Sequence, residues 1–160
     1  MSYVINRIPF MQMIYRPRAL RNNNPLNIRK GATRWTGALP ASRQTDSLYV
    51  QFKTLDYGYR AAWKMLDSIR LRLGSKLPFT VVQIIREWAY AGEGKDPDQY
   101  IARLLLLTGL SPIEVLPPPS QDCYGKLHCL LAAMTCIECS IDEADVNQDA
   151  IHAGYILAFE

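Results

Sequence analysis

The chain has 160 residues, of which 49% are hydrophobic and 21% are charged, and its formal net charge is +3. This composition is typical of a single globular domain and argues against a low-complexity or repetitive protein. No apolar run approaches the roughly 20 residues that a membrane-spanning helix needs, so no span is predicted. Because residues 1–15 lack a small-residue cleavage site, we expect no signal peptide and synthesis in the cytoplasm.

Charge is distributed unevenly along the chain. Residues 1–45 contain eight Lys or Arg and no acid, whereas residues 111–160 contain eight acids and a single Lys. A basic first part suits an anionic polymer, either nucleic acid or cell wall. Alternatively, the two parts pack against each other and neutralise their charges.

The first predicted elements are short. Residues 1–20 are predicted to form an arm or a short helix, and residues 21–47, rich in Asn, Arg, Gly and Thr, are predicted to form loops. Residues 48–52 carry large apolar side chains at alternate positions, which predicts a strand. Between Thr54 and Gly74, apolar residues recur at spacings of three and four, which predicts a helix.

Four further helices are predicted from their capping residues. Thr80 is expected to cap one helix, and Asp96, followed by proline, to begin the next. Ser120 is expected to begin a helix that reaches about Cys139, and Ser140 to open the last helix through a capping box. The predicted fold class is therefore mainly α, with about five helices and one small β-hairpin.

All four cysteines, at positions 123, 129, 136 and 139, lie in the last forty residues. Their spacing matches no zinc-site template. Cys129 and Cys136 share one face of a predicted helix, so free buried thiols are expected, as in a reducing cytosol. The alternatives are a zinc site that uses His128 or His152, and disulfides. We predict neither a metal nor another cofactor.

The densest polar cluster is segment 21–29, which reads Arg-Asn-Asn-Asn-Pro-Leu-Asn-Ile-Arg. Consecutive asparagines favour tight turns, because their side chains hydrogen-bond nearby backbone and they tolerate a left-handed conformation. Their amides can equally bind sugar hydroxyl or acetamido groups. The residues alone leave both roles open.

This segment resembles the Arg-Asn-Asn-Asn-Pro-Gly-Asn-Ile-Arg signature of a lysozyme-like family of phage and prophage virion structural proteins and lytic enzymes. The resemblance continues in order through Trp35-Thr36-Gly37, Asp46, Phe52, Tyr57-Gly58-Tyr59-Arg60-Ala61, Ile84-Ile85, Trp88-Ala89, Glu93 and Tyr100-Ile101. It covers about residues 20–110, with Leu26 where the signature has glycine. A weaker resemblance, carried by residues 24–29, 35–37 and 94–100, is to glucosaminidases of the flagellar-muramidase type.

The resemblance implies a lysozyme-like α+β domain over residues 21–160, after the N-terminal arm. Residues 21–110 would form a glycan cleft, and residues 120–160 a C-terminal helical pair. Sugars stack on exposed aromatic rings, whereas Trp63 and Trp88 lie on apolar helical faces and are expected in the core. The expected substrate-binding residues are Asn23, Asn24, Asn27, Trp35, Tyr49, Tyr90 and Tyr100.

Cleavage would require a proton donor, which related enzymes carry as a Glu on the helix before this loop, where this chain has no acid. Glu93 matches an acid of the family and is the candidate donor, or else a solvated loop carboxylate. Asp46 is the candidate second carboxylate, or else a turn cap. Glu87 and Asp96 are weaker candidates, interpreted as an ion-pair partner and a helix cap.

Our leading hypothesis is a peptidoglycan-active glycan hydrolase or lytic transglycosylase of phage or prophage type. The alternative is a non-catalytic cell-wall-binding or virion structural protein with a degenerate lysozyme-like cleft. The expected partners are peptidoglycan glycan strands and other virion or secretion-machinery proteins. Nucleic-acid binding is less consistent with the sequence, because no groove-reading helix accompanies the basic residues. The protein would act at the cell wall after delivery by a virion, a secretion system or lysis.

Overall fold

The computed structural model describes residues 16–90 and 96–160, and within these ranges the protein is mainly helical, as predicted. The described α-helices are α1 (Arg18–Arg21), α2 (Leu55–Leu73), α3 (Val81–Tyr90), α4 (Pro97–Thr108), α5 (Lys126–Cys139) and α6 (Gln148–Phe159). Short 3₁₀ turns occupy Ala41–Arg43, Pro119–Gln121 and Glu143–Asp145. None of the helices within the described ranges is both long and apolar enough to span a bilayer.

Helix α2 is the central element, and it packs most extensively against α6. A Cβ atom on Gly154 of α6 would lie 2.5 Å from the Cβ of Tyr59, so the two helices approach more closely than a larger residue allows. The Trp63 indole is fully buried and donates a hydrogen bond to the Ile151 carbonyl at 3.0 Å. This close crossing anchors the hydrophobic core, which also includes Trp88, as predicted.

The predicted helix boundaries are confirmed where a cap is made locally. Helix α2 ends at Gly74, which has a positive φ of 54°. The Thr80 hydroxyl accepts a hydrogen bond from the Gln83 amide at the start of α3. At the start of α4, the Asp96 carboxylate accepts a hydrogen bond from the Asp98 amide at 3.0 Å.

The predicted start of α5 is wrong, because Ser120 lies in a 3₁₀ turn and the helix begins only at Lys126. Pro117 and Pro118 precede this turn and Pro119 begins it, and proline lacks the amide that a helix interior requires. The Asp122 carboxylate instead accepts a hydrogen bond from the Leu127 amide at 2.6 Å, which sets the later start.

The predicted start of α6 is also wrong. Ser140 has a left-handed backbone, with φ of 52°, and ends α5 instead of capping the next helix. Glu143 begins a 3₁₀ turn, and α6 starts after Asn147, whose side chain accepts a hydrogen bond from the Ala150 amide at 3.0 Å. Helix α6 therefore begins about two turns later than the predicted capping box, at the Asn147 cap.

The small β element differs from the predicted hairpin. Two isolated antiparallel bridges join Arg29 to Tyr49 and Ala38 to Phe52. The Val50 amide donates to the Ile28 carbonyl at 3.0 Å, and residue 39 donates to the Gln51 carbonyl at 2.9 Å on the other side. Segment 48–52 is therefore extended, as predicted, but it lies between two separate segments and is not half of a hairpin.

All four cysteines are free thiols, but their burial differs from the prediction. Cys136 and Cys139 are buried, whereas Cys129 is exposed and Cys123 is half-buried. Cys129 lies on the outer side of α5, because the face of the helix that packs into the core carries its neighbours Leu127, Leu130 and Leu131. No cluster of three or more His, Cys, Asp or Glu that could hold a metal ion occurs within residues 16–90 and 96–160.

Candidate functional site

The asparagine-rich loop is built by its own side chains. Asn24 is completely buried, and its amide nitrogen donates to the carbonyls of Ile28 and Val50 at 2.9 and 2.8 Å. Its amide oxygen accepts from the Ile28 amide at 2.8 Å. With these contacts made and no exposed surface, Asn24 holds the loop against segment 48–52 and does not reach a ligand.

Asn23 and Asn27 both adopt left-handed backbone conformations, with φ of 51°. The Asn23 amide donates to the Phe52 carbonyl at 3.1 Å, so it also fastens the loop to segment 48–52. The Asn27 amide donates to the Glu138 carboxylate at 3.0 Å, which ties the loop to the end of α5. The loop-building role expected of such asparagines is therefore present in all three predicted residues.

Asp46 is surrounded by donors. Arg18 donates to its two carboxylate oxygens from Nε and Nη2, each at 2.7 Å. Asn22 donates at 2.8 Å, and the amides of Leu48 and Tyr49 donate at 2.9 and 3.0 Å. The Arg18 contact is the main reason that the pKa of Asp46 lies well below its usual range, although partial desolvation opposes it. Asp46 thus closes a turn and holds α1, and it is a poor proton donor.

A cleft of about 420 Å³ lies between this loop and helices α2 and α3. The loop side contributes aromatic and basic side chains, and the helical side contributes apolar residues together with Ser68, Arg72 and the acid Glu87. Its lining residues are Asn27, Ile28, Arg29, Lys30, Thr33, Trp35, Tyr49, Met65, Ser68, Ile69, Arg72, Glu87 and Trp88.

A second cleft of about 600 Å³ adjoins the first and shares Lys30, Thr33 and Trp35 with it. Its remaining lining comes from segments 31–44 and Val50. Trp35 borders both clefts, so the residues of the two clefts form one lining surface that includes this indole. We call it the Trp35 groove.

The Trp35 groove is strongly cationic. Among the described residues that line it, Arg29, Lys30, Arg34 and Arg72 are basic, and Glu87 is the acid. Arg72 and Glu87 are 3.7 Å apart and partly exposed, so their ion pair is loose. Three basic side chains thus remain without an acid among the described groove-lining residues.

Tyr49 carries two guanidinium groups near its ring. The Arg18 guanidinium lies 4.7 Å from the ring centroid, and the Arg29 guanidinium lies 5.9 Å from it. This arrangement fixes Arg29 at the groove edge and covers part of the Tyr49 ring. Trp35, which is half-buried, is consequently the aromatic side chain best placed to stack on a ligand.

The structure brings together three of the predicted site residues, Asn27, Trp35 and Tyr49, in the lining of the groove. Asn23, Asn24 and Asp46 do not line it and instead support its loop wall. Glu93 and the side chain of Tyr90 lie outside the described residues.

Tyr100 does not present an exposed aromatic face, contrary to expectation. Its side chain is buried beneath the groove, with the ring 5.0 Å from that of Trp88. Burial raises the pKa of Tyr100, and the nearby Glu138 carboxylate raises it further. Tyr100 is therefore a core residue that supports Trp88.

The α2 wall of the groove was not predicted. It is formed by one side of α2, where four residues recur at helical spacings: Met65, Ser68, Ile69 and Arg72. The polar members Ser68 and Arg72 are four residues apart and hydrogen-bonded at 3.0 Å. The sequence does place Ser68 and Arg72 at the edge of the apolar face of α2. Polar residues at such an edge are usually only solvated, so this pattern does not by itself indicate a binding site.

The fold and groove define a mainly helical protein with a cationic, aromatic-lined surface cleft. No family model matches the chain. Over 96 residues the chain is 33% identical to Protein P5 of Pseudoalteromonas phage PM2, a match that covers 58% of this chain and 56% of that protein. The chain thus spans about half the length of this curated relative. It is similar to a phage protein.

Proposed function

We propose that this protein is a phage virion component that binds cell-wall glycan in the Trp35 groove and does not cleave it. The observation that carries the proposal is that the groove lining suits a sugar whereas Asp46, a predicted catalytic carboxylate, does not belong to that lining. The groove offers an indole flanked by hydrogen-bonding and basic side chains, which suits a sugar chain. Asp46, the predicted second carboxylate, is instead bound by Arg18 and lies outside the lining.

The chemistry of Asp46 supports a non-catalytic role. A general acid for glycoside cleavage needs a raised pKa, whereas Arg18 lowers the pKa of Asp46. A carboxylate that stabilises an oxocarbenium-like transition state must face the sugar, and both oxygens of Asp46 are taken by protein donors. Its contacts suit the turn-closing role that the sequence left as the alternative.

The similarity to a protein of phage PM2 supports a phage origin for this chain. A virion would deliver the protein to the wall. Within this proposal, residues 21–160 form one lysozyme-like domain whose glycan cleft became a binding groove; most of the predicted arm or short helix over residues 1–20 lies outside the described residues. Other virion proteins would be its assembly partners, and glycan strands its ligand.

A second candidate function, peptidoglycan cleavage, is favoured by one observation. Glu87 lines the groove, is half-buried and lies next to Trp88. Its carboxylate lies 3.7 Å from the Arg72 guanidinium, and in this alternative it would stabilise positive charge on the sugar. In this alternative, Glu93 would supply the proton.

The two functions are separated by incubating the protein with purified sacculi. The pellet is assayed for bound protein, and the supernatant is analysed by mass spectrometry for released muropeptides. We expect bound protein and no muropeptides above the buffer control. Released muropeptides that disappear in Glu87→Gln or Glu93→Gln would overturn the non-catalytic proposal, and their anhydro or reducing ends would identify the reaction.

A further inference from the structure

The charge of the Trp35 groove exceeds what a neutral sugar chain requires. Four basic side chains and one acid line it, as far as the described residues go. A neutral oligosaccharide is recognised by stacking and by uncharged hydrogen bonds, neither of which needs this excess of cations. Like charges held around one depression repel each other, and an anionic ligand relieves that repulsion.

The basic side chains are distributed over both clefts that Trp35 borders. Arg29 and Arg72 line the first cleft, Arg34 lines the second, and Lys30 lines both. A linear ligand that occupies both clefts would therefore meet positive charge in each of them. This arrangement suits a polymer whose negative charges recur along its length.

Contacts within the protein fix part of this charge without removing it. The Lys30 ammonium group donates a hydrogen bond to the backbone carbonyl of Asp46, which is not an anionic partner. Arg29 lies over the Tyr49 ring. Both groups are thus oriented while keeping their charge for a ligand.

We propose that the Trp35 groove selects glycan strands that carry carboxylates over neutral ones. This inference rests on the proposed glycan-binding function and specifies its ligand. In peptidoglycan, the carboxylates come either from the lactyl group of the muramic sugar or from the attached peptide. Both present the same chemistry to guanidinium and ammonium donors.

The test compares the affinities of four probes by fluorescence anisotropy or calorimetry. They are neutral chitohexaose, peptide-free glycan strands with free lactyl carboxylates, disaccharide-peptide monomers, and a short DNA duplex. At about 50 mM salt, we expect a carboxylated glycan to bind at least about tenfold more tightly than chitohexaose, and the advantage to shrink at about 300 mM. Comparison of the two carboxylated probes shows whether the groove recognises the lactyl carboxylate or the peptide carboxylates.

The double variant Arg29→Gln/Arg34→Gln provides the mechanistic control. Both side chains are exposed, so the fold should persist, and Arg103→Gln on α4 serves as a matched exposed substitution outside the groove. The double variant should lose most of the preference for the carboxylated probe over chitohexaose. Arg103→Gln should change neither affinity.

The outcomes distinguish the two levels of the proposal. Equal binding of chitohexaose and the carboxylated glycans would overturn the selectivity and leave glycan binding intact. Absence of binding to every glycan probe would overturn the proposed function itself. DNA binding as tight as glycan binding at the same salt concentration would show that the groove reads polyanions in general, which also contradicts the inference.

Discussion

Arg18 and Asp46 form a two-point ion pair in which Nε and Nη2 of the arginine each contact one carboxylate oxygen at 2.7 Å. This pair joins α1 to the turn that precedes segment 48–52, across 28 residues of sequence. Since the same carboxylate receives three further hydrogen bonds, from Asn22 and from the amides of Leu48 and Tyr49, Asp46 organises the loop wall of the Trp35 groove.

Replacing Asp46 with asparagine should lower stability while preserving the fold. The substituted side chain would lack the negative charge that pairs with Arg18 and would place an amide nitrogen among donors. We expect a loss of roughly 2 kcal/mol, moderated because the Arg18 side chain is partly exposed, and a decrease in Tm of roughly 4–8 °C. Urea unfolding measures this loss. Asp145→Asn, at an exposed position, is the matched control, and an equal effect in both variants would contradict the role of Asp46.

The same carboxylate predicts a dependence of stability on pH. Because the pKa of Asp46 is lower in the folded state than the unfolded value of about 3.9, its ionised form stabilises the protein above about pH 4. That contribution falls as the pH drops below this value towards the folded pKa. The stability difference between wild type and Asp46→Asn should be constant from pH 7 to pH 5 and narrow by about 1 kcal/mol at pH 3. A difference that does not narrow between pH 5 and pH 3 would refute the lowered pKa.

Gly58 provides a steric test of the asparagine loop. A Cβ atom at this position would lie 1.9 Å from the Asn23 carbonyl oxygen and 2.8 Å from the Pro25 ring. Since backbone cannot rotate away, Gly58→Ala should cost about 2 kcal/mol or more, despite the better helix propensity of alanine. Thermal unfolding measures the effect. Gly31→Ala, which has open space around its Cβ, should be nearly neutral, and a neutral Gly58→Ala would show that the loop does not rest on α2.

Gly154 tests the crossing of α2 and α6 in the same way. A Cβ atom there would lie 2.5 Å from the Tyr59 Cβ and 2.8 Å from the Arg60 amide nitrogen. Gly154→Ala should therefore separate the helices and cause a net loss of at least about 1 kcal/mol in denaturant unfolding. If the variant were instead more stable, as alanine normally is in a helix interior, the close crossing would be wrong.

The sequence predicted the helices well where a periodic apolar stripe and a local cap agreed. Thr80 and Asp96 make the predicted caps, and Trp63 and Trp88 occupy the core. The starts of α5 and α6 were missed because two capping signals compete within a few residues of each other. Which of the two signals begins the helix depends on contacts with distant parts of the chain, and the local sequence does not reveal those contacts.

The site was predicted in part for a similar reason. Trp35, Tyr49 and Asn27 lie in a segment whose polar composition marked it out, and they line the groove. The α2 wall depends on which part of that helix the asparagine loop covers, a relationship fixed by Gly58 and by contacts between distant residues. Tyr100 was misplaced because its burial against Trp88 is likewise a tertiary effect.

Binding of wall glycan in the Trp35 groove is tested most directly by co-sedimentation of Trp35→Ala with purified sacculi. Tyr124→Ala, which removes an exposed aromatic ring outside the groove, is the matched control, and thermal unfolding confirms that both variants are folded. We expect wild type and Tyr124→Ala to sediment with the sacculi, while folded Trp35→Ala remains in the supernatant. Equal sedimentation of all three proteins, or none by the wild type, would contradict glycan binding in this groove.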